Sequence, residues 1–519
     1  MAADGGPASA GVRWAARIAL ALLGAVFAWR LAYQIGYCWW AIHYPYELDY
    51  GEGIVWQQLR LLFTARAYGP ITGFPAIVFH YPPLYHALTA ALCALFGSDP
   101  LATGRALAAA GLAAAAIFAG LAVSRALGSG SPRSDRRVGA GAAALILCGT
   151  SPVIFWLPVM RVDMLALALS FSGLWLAMLA LERPALVHGA ALAFVLALFT
   201  KQTMIAAPAA AFAVLLLMRP RTAVAGIATA LLLGVAALGL LEWSTAGGFA
   251  RHVFLYNLNR FDPAGLWLIR DGLRDNGLAI ALAMLALRLR GWPLLKELGG
   301  ARSLAALRTR LAADGRGPLL ILLGHLTVTT LMLAMIAKSG ASQNYLIEWM
   351  SAVAMFAGLA LADVARIARG NGVPAPALLI AATALLALQL AAFGKSRGEL
   401  LPPVPPRAES ARLVAMIRAA GRPVISDNMV IVLRAGKEVL WEPAIFAELD
   451  GSRYFSAEPF VAKIRHRDFA FFVTFGRRGD APFDARYTPA MAQAMDRAYP
   501  RLRGLAGLTL HLPPADPAR

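Results

Sequence analysis

Tyr44-Pro-Tyr-Glu-Leu-Asp-Tyr-Gly-Glu-Gly53 sets Glu47, Asp49 and Glu52 directly behind the first long apolar run of the chain. Carboxylates concentrated where a chain leaves an apolar stretch are expensive unless they are solvated, paired or used. Their setting makes them conspicuous: 59% of the 519 residues are hydrophobic, 15% are charged, and the net charge is +19. Apolar runs of roughly 17–25 residues recur along the sequence, the length a helix needs to cross a bilayer. The fold class is therefore an α-helical polytopic membrane protein, and the acids of residues 44–53 mark where its first helix emerges.

The basic residues define which way the chain faces. Arg125, Arg133, Arg136 and Arg137 form one cluster, Arg219 and Arg221 a second, and Arg288 through Arg316 a third, all in short stretches between apolar runs. That is the positive-inside pattern together with contact to anionic lipid, and it argues against a nucleic-acid partner. The first run, 14–36, continues to Trp39-Trp40. It is too long for a signal peptide and reads as a retained anchor. With a cytoplasmic N-terminus, further spans fall at 101–123, 138–156, 164–181, 185–200, 203–218, 222–243, 277–287, 318–337, 345–365 and 374–393, about eleven transmembrane helices in all. The segment 84–96 is too short to span and reads as a re-entrant or interfacial helix within a large first outer loop, 37–100. Cys38, Cys93 and Cys148 offer neither a disulfide framework nor a metal spacing.

Residues 1–398 thus form the membrane domain. The Pro-rich stretch 401–406 is a stiff linker, and 399–519 reads as a small C-terminal extracytoplasmic α/β domain. In it, 410–420 reads as an amphipathic helix closed by Gly421 and Pro423, and 423–426 and 429–433 as strands. A turn is expected at 434–437, a helix at 460–466 and a β-rich run at 469–475. No internal repeat, P-loop, dinucleotide fingerprint or zinc motif is visible.

The topology collects one set of polar residues on the outer face. Asp49-x-x-Glu52 before an apolar stretch is a capping-box pattern, with Asp49 as N-cap and Glu52 at the third helical position, although Gly51 and Gly53 weaken such a start. A carboxylate fixed and kept ionised at a helix start is also what a general base requires, so the two roles are compatible. In His80-Tyr-Pro-Pro-Leu-Tyr-His86, Pro82-Pro83 gives an extended entry and a helix start, with His80 and Tyr81 on the side that faces a site. A divalent cation held by His80, Asp49 and Glu52 is left open, without ligand spacing to support it, and no other cofactor is expected. Arg161-Val-Asp163 is either a local ion pair or part of a site. Lys201-Gln202 joins two apolar helices, and a hairpin tip of this kind needs no cation, which favours a functional lysine. Lys338 and Asn344-Tyr345-x-x-Glu348 recur at the next outer junction, while the loop 243–276 reads as a solvated amphipathic segment. Acids in one loop and cations at several junctions suit a reaction in which a phosphate leaves and a hydroxyl attacks: fixed Arg or Lys charge stabilises the first and a base activates the second.

In their order and common sidedness these motifs resemble the GT-C superfamily of lipid-phosphate-sugar-dependent glycosyltransferases. Within it they are most similar to the family 39-like group of protein mannosyltransferases and aminoarabinose transferases. Glu47-Leu-Asp49-Tyr-Gly-Glu52-Gly53, Pro82-Pro-Leu-Tyr85, Arg161-x-Asp163 and Thr200-Lys-Gln-Thr203 carry the resemblance. It implies an inverting transfer of a monosaccharide from a polyprenyl-phosphate donor to an envelope glycan, lipid or protein acceptor, on the extracytoplasmic face of the cell membrane. By position, the base would be Asp49 or Glu52, with Asp49 favoured; here Gly51 precedes Glu52 where the commoner motif has an acid. Arg161, Lys201 and Lys338 would hold the donor phosphate. Glu47, His80, Tyr81, Tyr85, Asp163, Gln202, Asn344, Tyr345 and Glu348 would contact substrate. The rival reading is a transporter or flippase of a lipid-linked or anionic substrate. Such proteins place polar groups near the bilayer midplane, often in repeated halves.

Overall fold

Runs rich in Ala and Leu, the strongest helix formers, become helices throughout the first part of the chain. The computed structural model describes residues 10–257, 259–313, 315–368 and 405–515. The membrane part contains α1 (Ala10–His43), α2 (Gly51–Leu61), α3 (Leu84–Phe96), α4 (Pro100–Leu127), α5 (Arg133–Gly149), α6 (Asp163–Ala180), α7 (Leu186–Leu198), α8 (Ala206–Met218), α9 (Pro220–Ser244), α10 (Gly277–Ala286), α11 (Arg316–Met332) and α12 (Ile347–Ala368). Among the described residues, six helical stretches are long and apolar enough to cross a membrane: Pro100–Leu127, Asp163–Ala180, Pro220–Ser244, Gly277–Gly299, Arg316–Ala337 and Gln343–Arg366. The chain is a polytopic α-helical membrane protein.

Several expected spans differ in detail. The predicted 138–156 helix is broken: α5 ends at Gly149, Thr150 is extended, and a separate short helix, Ser151–Trp156, starts with Pro152 in its first turn. Proline lacks the N–H that would continue the helix, so it begins a new one. The expected 185–200 and 203–218 spans shrink to the 13 residues each of α7 and α8. The expected span 374–393, most of the linker and the 398/399 boundary lie outside the described residues.

α12 lies at the centre, buried along nearly all its length, and packs against α5, α10 and α11. Its approach to α5 is backbone-close: a Cβ on Gly358 would meet the Gly139 carbonyl oxygen at 2.5 Å. Small residues at such a crossing let two helices pack without a hydrophobic drive between them. α4 packs on α6, and α6 on α7. α9 is the opposite case, exposing Leu231, Leu232, Val235, Leu240 and Trp243, as a lipid-facing helix does.

The C-terminal unit comprises α13 (Arg407–Ala419), β1 (Val424–Ser426), α14 (Met429–Arg434), α15 (Pro443–Leu449), α16 (Glu458–Arg465), β2 (Phe471–Thr474), α17 (Pro489–Ala498), β3 (Arg501–Leu505) and β4 (Leu508–Leu512). Its mixed sheet has the order β1-β2-β4-β3. β1 and β2 run parallel with Val424 opposite Phe471, and the β2–β4 and β4–β3 pairs are antiparallel. β1 and β2 are buried on both faces, as expected of strands that are apolar but for Ser426 and Thr474 at their ends. The expected strand at 429–433 is instead α14, because the Asn428 side chain accepts from the Ile431 N–H and starts a helix there. Trp441 is sandwiched between Phe446 and Phe460, with ring centroids 3.9 and 4.0 Å away, and fixes this core.

The first outer loop and the C-terminal unit share one hydrophobic core, formed by Ile54, Val55, Leu59 and Phe79 with Leu413, Val430 and Val473. Arg434 clasps Asp99 at 2.5 and 3.0 Å and donates to the Pro45 carbonyl. The Ala76 N–H donates to the Leu440 carbonyl at 3.1 Å. The α/β unit is thereby seated directly over the acidic loop.

Candidate active site

Glu52 is the most thoroughly bound acid of the loop. It is 0% exposed. Arg105 of α4 grips it in a two-pronged pair, Nε to Oε1 at 2.7 Å and Nη2 to Oε2 at 2.6 Å. The Met160 N–H donates to Oε1 and the Leu48 N–H to Oε2, both at 2.7 Å. Arg105 spends its remaining N–H groups on the carbonyls of Ala41, Tyr44 and Tyr46. The pair therefore pins the end of α1, the acidic loop, α2 and α4 together.

The capping-box expectation is met only in part. α2 starts at Gly51 with Tyr50 as its N-cap and no side-chain cap bond. Glu52 reaches back to the Asp49 N–H at 3.4 Å, while Asp49 Oδ2 accepts from the Gly51 N–H at 2.9 Å, a turn rather than a helix cap. Asp49 keeps a partly open carboxylate, 20% exposed, with Arg161 Nη1 at 3.4 Å from Oδ2. Burial pushes the Asp49 carboxyl up from its usual range, Arg161 opposes that, and Glu52 adds to it.

Gly51 makes this arrangement possible. A Cβ there would fall 1.3 Å from Arg161 Nη1, so the guanidinium lies in the space a side chain would fill. Arg161 also donates to the Tyr81 hydroxyl at 3.1 Å and lies over the Trp156 ring at 5.2 Å.

Asp163, the first residue of α6, is the hub of the neighbouring wall. It accepts from Lys201 Nζ at 2.7 Å, Trp156 Nε1 at 2.8 Å and Asn344 Nδ2 at 3.2 Å. Burial alone would pull the Lys201 ammonium down, but Asp163 outweighs it and holds the lysine above its usual value. Among the described residues, Lys338 has no carboxylate partner of this kind. It donates to Asn257 Oδ1 at 2.8 Å, and burial pulls its ammonium down to about 8 with only Glu448 opposing.

Arg161, Lys201, Lys338 and Asn344 reach one cavity of about 340 Å³, within the size range of small-ligand sites. The membrane part contributes Tyr50, Gly51, His80, Tyr81, Arg161, Lys201, Gln202, Lys338, Asn344 and Tyr345. Gln202 Nε2 donates to the His80 carbonyl at 3.0 Å, joining the α7–α8 junction to the first loop. The C-terminal unit closes the opposite wall with Glu442, Glu448 and Arg486. Glu442 Oε2 lies 2.8 Å from His80 Nε2.

Of the residues singled out from sequence, Arg161, Lys201, Lys338, His80, Tyr81, Gln202, Asn344 and Tyr345 are brought onto this cavity. Asp49 stands behind Gly51 and Arg161. Five others are held apart from the lining, Asp163 among them as the buried partner of Lys201. Glu52 is locked by Arg105, Tyr85 is fully buried with its hydroxyl on the Gly104 carbonyl at 2.8 Å, and Glu47 accepts from the Val430 N–H at 3.3 Å. Glu348 borders a smaller adjoining cavity with Lys201 and Trp349. Asn257, Glu442, Glu448 and Arg486 were not foreseen, because nothing local in sequence ties residues so far along the chain to the first loop. Arg105 could have been: an arginine inside a predicted span needs a partner. Among the described residues, no three His, Cys, Asp or Glu side chains converge to hold a metal ion, so His80, Asp49 and Glu52 do not form the cation site left open above.

Fold and site together define a membrane-embedded helical bundle with a cationic cavity roofed by a small α/β unit. No family model and no curated protein matches the chain. Solved structures do. ArnT from Cupriavidus metallidurans bound to undecaprenyl phosphate is 12% identical with a TM-score of 0.53, and the match covers 95% of this chain and 97% of that one. Its apo state gives a TM-score of 0.54 at 12% identity, covering 94% and 98%. The oligosaccharyltransferase AglB from Archaeoglobus fulgidus, in complex with an inhibitory peptide and a dolichol-phosphate, is 14% identical with a TM-score of 0.54, covering 88% of this chain and 69% of that one. The chain shares their fold.

Proposed function

We propose that the chain is an integral-membrane, inverting glycosyltransferase. It moves a monosaccharide from a polyprenyl-phosphate donor to an envelope glycan, lipid or protein acceptor. On this reading the N-terminus is cytoplasmic, the chain crosses the membrane about eleven times, and the cavity and the 399–519 domain are extracytoplasmic. The observation that carries it is the convergence of Arg161, Lys201 and Lys338, from three separate helix junctions, on one cavity beside Asp49. The lipid phosphates bound by the structurally similar ArnT and AglB support it.

In the proposed step the acceptor hydroxyl gives its proton to Asp49 as its oxygen bonds to the anomeric carbon. The carbon–oxygen bond to phosphate breaks on the opposite face, and its electron pair leaves with the polyprenyl phosphate. Arg161 and Lys338 hold that developing charge, with Lys201 adding field from its fixed place on Asp163. A donor phosphate drawn to Arg161 competes with Asp49 for the same guanidinium, so donor binding frees the base.

Glu442 offers a second reading for the base, since its carboxylate lines the cavity directly and Asp49 does not. The test is mass spectrometry of envelope glycans from a deletion strain complemented with wild type, Asp49→Asn or Glu442→Gln. A positioned base contributes ~10²–10⁴-fold, so Asp49→Asn leaves at most a trace of product at normal protein level. Product retained in Asp49→Asn but lost in Glu442→Gln moves the base to Glu442. Translocation of lipid without glycosidic bond formation in liposomes would favour the flippase instead.

A further inference from the structure

A second cavity, of about 360 Å³, opens at the end of the bundle remote from the active site. Arg125, at its rim, lies twenty residues along α4 from Arg105, which is ~30 Å at the rise of an α-helix and close to the thickness of a bilayer's hydrocarbon core. Three guanidinium groups line the cavity: Arg125 from the end of α4, Arg219 from the α8–α9 junction, and Arg308 from the short helix Leu304–Leu311.

Each is tethered by one described bond. Arg125 Nη2 donates to Glu182 Oε1 at 2.5 Å, Arg219 Nε to the Leu181 carbonyl at 3.2 Å, and Arg308 Nε to the Leu217 carbonyl at 2.7 Å. The tethers use Nε of Arg219 and Arg308 and leave their paired Nη groups outside these bonds. Arg125 Nε is buried and has no hydrogen-bond partner among the described residues. Glu182 is the one acid among the described lining residues, and its side chain is 65% exposed. Met218 and Pro318 make part of the apolar remainder.

Among the described residues, three oriented guanidinium groups face one solvated carboxylate, a net positive cavity between helix ends. The planar fork of arginine matches phosphate oxygens, and basic pockets of this kind between membrane helices take lipid head groups. We propose that this cavity binds a phosphate group, supplied by the head of an anionic phospholipid in the adjoining leaflet or by a soluble phosphate. The sequence clusters that orient the chain thus also build a ligand site. It stands independently of the transfer reaction. Because the three arginines come from different elements, an occupied site fastens α4, the α8–α9 junction and the 304–311 helix together, and ligand stabilises the folded protein by mass action.

The test uses the full-length protein in detergent, followed by native mass spectrometry and thermal unfolding, with phosphatidylglycerol, phosphatidylcholine or inorganic phosphate added. Phosphatidylglycerol is expected to be retained over phosphatidylcholine by about tenfold or more, with a raised unfolding temperature. In Arg125→Gln/Arg308→Gln the retention should fall by about tenfold and the rise in unfolding temperature should shrink with it. A response to inorganic phosphate that the double variant loses, without preference between the lipids, supports the site with a soluble ligand. Equal retention of the two lipids by wild type together with no response to phosphate overturns the proposal. So does a folded double variant that responds as wild type does. If the variant does not fold, the wild-type ratio of the two lipids at low and high salt decides, since a site built on arginine charge must lose its preference as salt screens it.

Discussion

Gly51 and Lys338 show how single residues set the chemistry of the cavity. Because a Cβ at Gly51 would occupy the place of Arg161 Nη1, Gly51→Ala must displace the guanidinium from Asp49 and from the cavity. We expect at least a tenfold loss of transfer with little change in unfolding temperature; an unchanged rate would show that the Arg161 position is not needed. Lys338 sets a pH limit. With its ammonium pulled down to about 8, it is charged below that pH and neutral above it. Donor binding that relies on its charge therefore weakens as pH rises through about 8, and kcat/KM falls with it, since that ratio reports groups of the free enzyme. Arginine stays charged throughout, so Lys338→Arg should remove this alkaline limb. Superimposable pH profiles for the two proteins would exclude Lys338 from donor binding.

At the scale of elements, the Glu52–Arg105 pair is the fastening between α2 and α4. Removing one partner of a buried ion pair strands the other and costs about 3–5 kcal/mol. Glu52→Gln is therefore expected to lower the unfolding temperature in detergent and the yield of folded protein, with activity lost in proportion. Asp49→Asn should lose activity at unchanged stability. A stable but inactive Glu52→Gln protein would return the base to Glu52. The break of α5 at Thr150 belongs to this scale too. It frees the short Ser151–Trp156 helix to carry Trp156 to Asp163 and under Arg161.

For the whole molecule, the seat of the α/β unit on the first loop decides whether the cavity has a second wall. Gly53 is packed so closely there that a Cβ would fall 2.5 Å from the Met429 Cβ. Gly53→Val should therefore separate α2 from α14, costing about 1–3 kcal/mol as overpacking does. It should also increase protease access to the C-terminal unit and reduce transfer, because Glu442, Glu448 and Arg486 leave the cavity. Unchanged protection and activity would mean that this seating is not required.

Much of this was legible in the sequence, and for local reasons. Length and apolarity determine a membrane helix, so the helical class followed from composition. Short polar motifs at the ends of those helices, Arg161-x-Asp163 and Lys201-Gln202 among them, marked the cavity because a charge at a helix junction must be paired or used. Tertiary structure alone decided the rest. It showed that Glu52 is enclosed by Arg105 while the Asp49 carboxylate stays partly exposed, that residues 429–433 form a helix, and that the far wall comes from Glu442 and Glu448, nearly four hundred residues beyond the acidic loop. Periodicity and charge act over a few residues, whereas burial and pairing depend on which distant segments the packed core brings together.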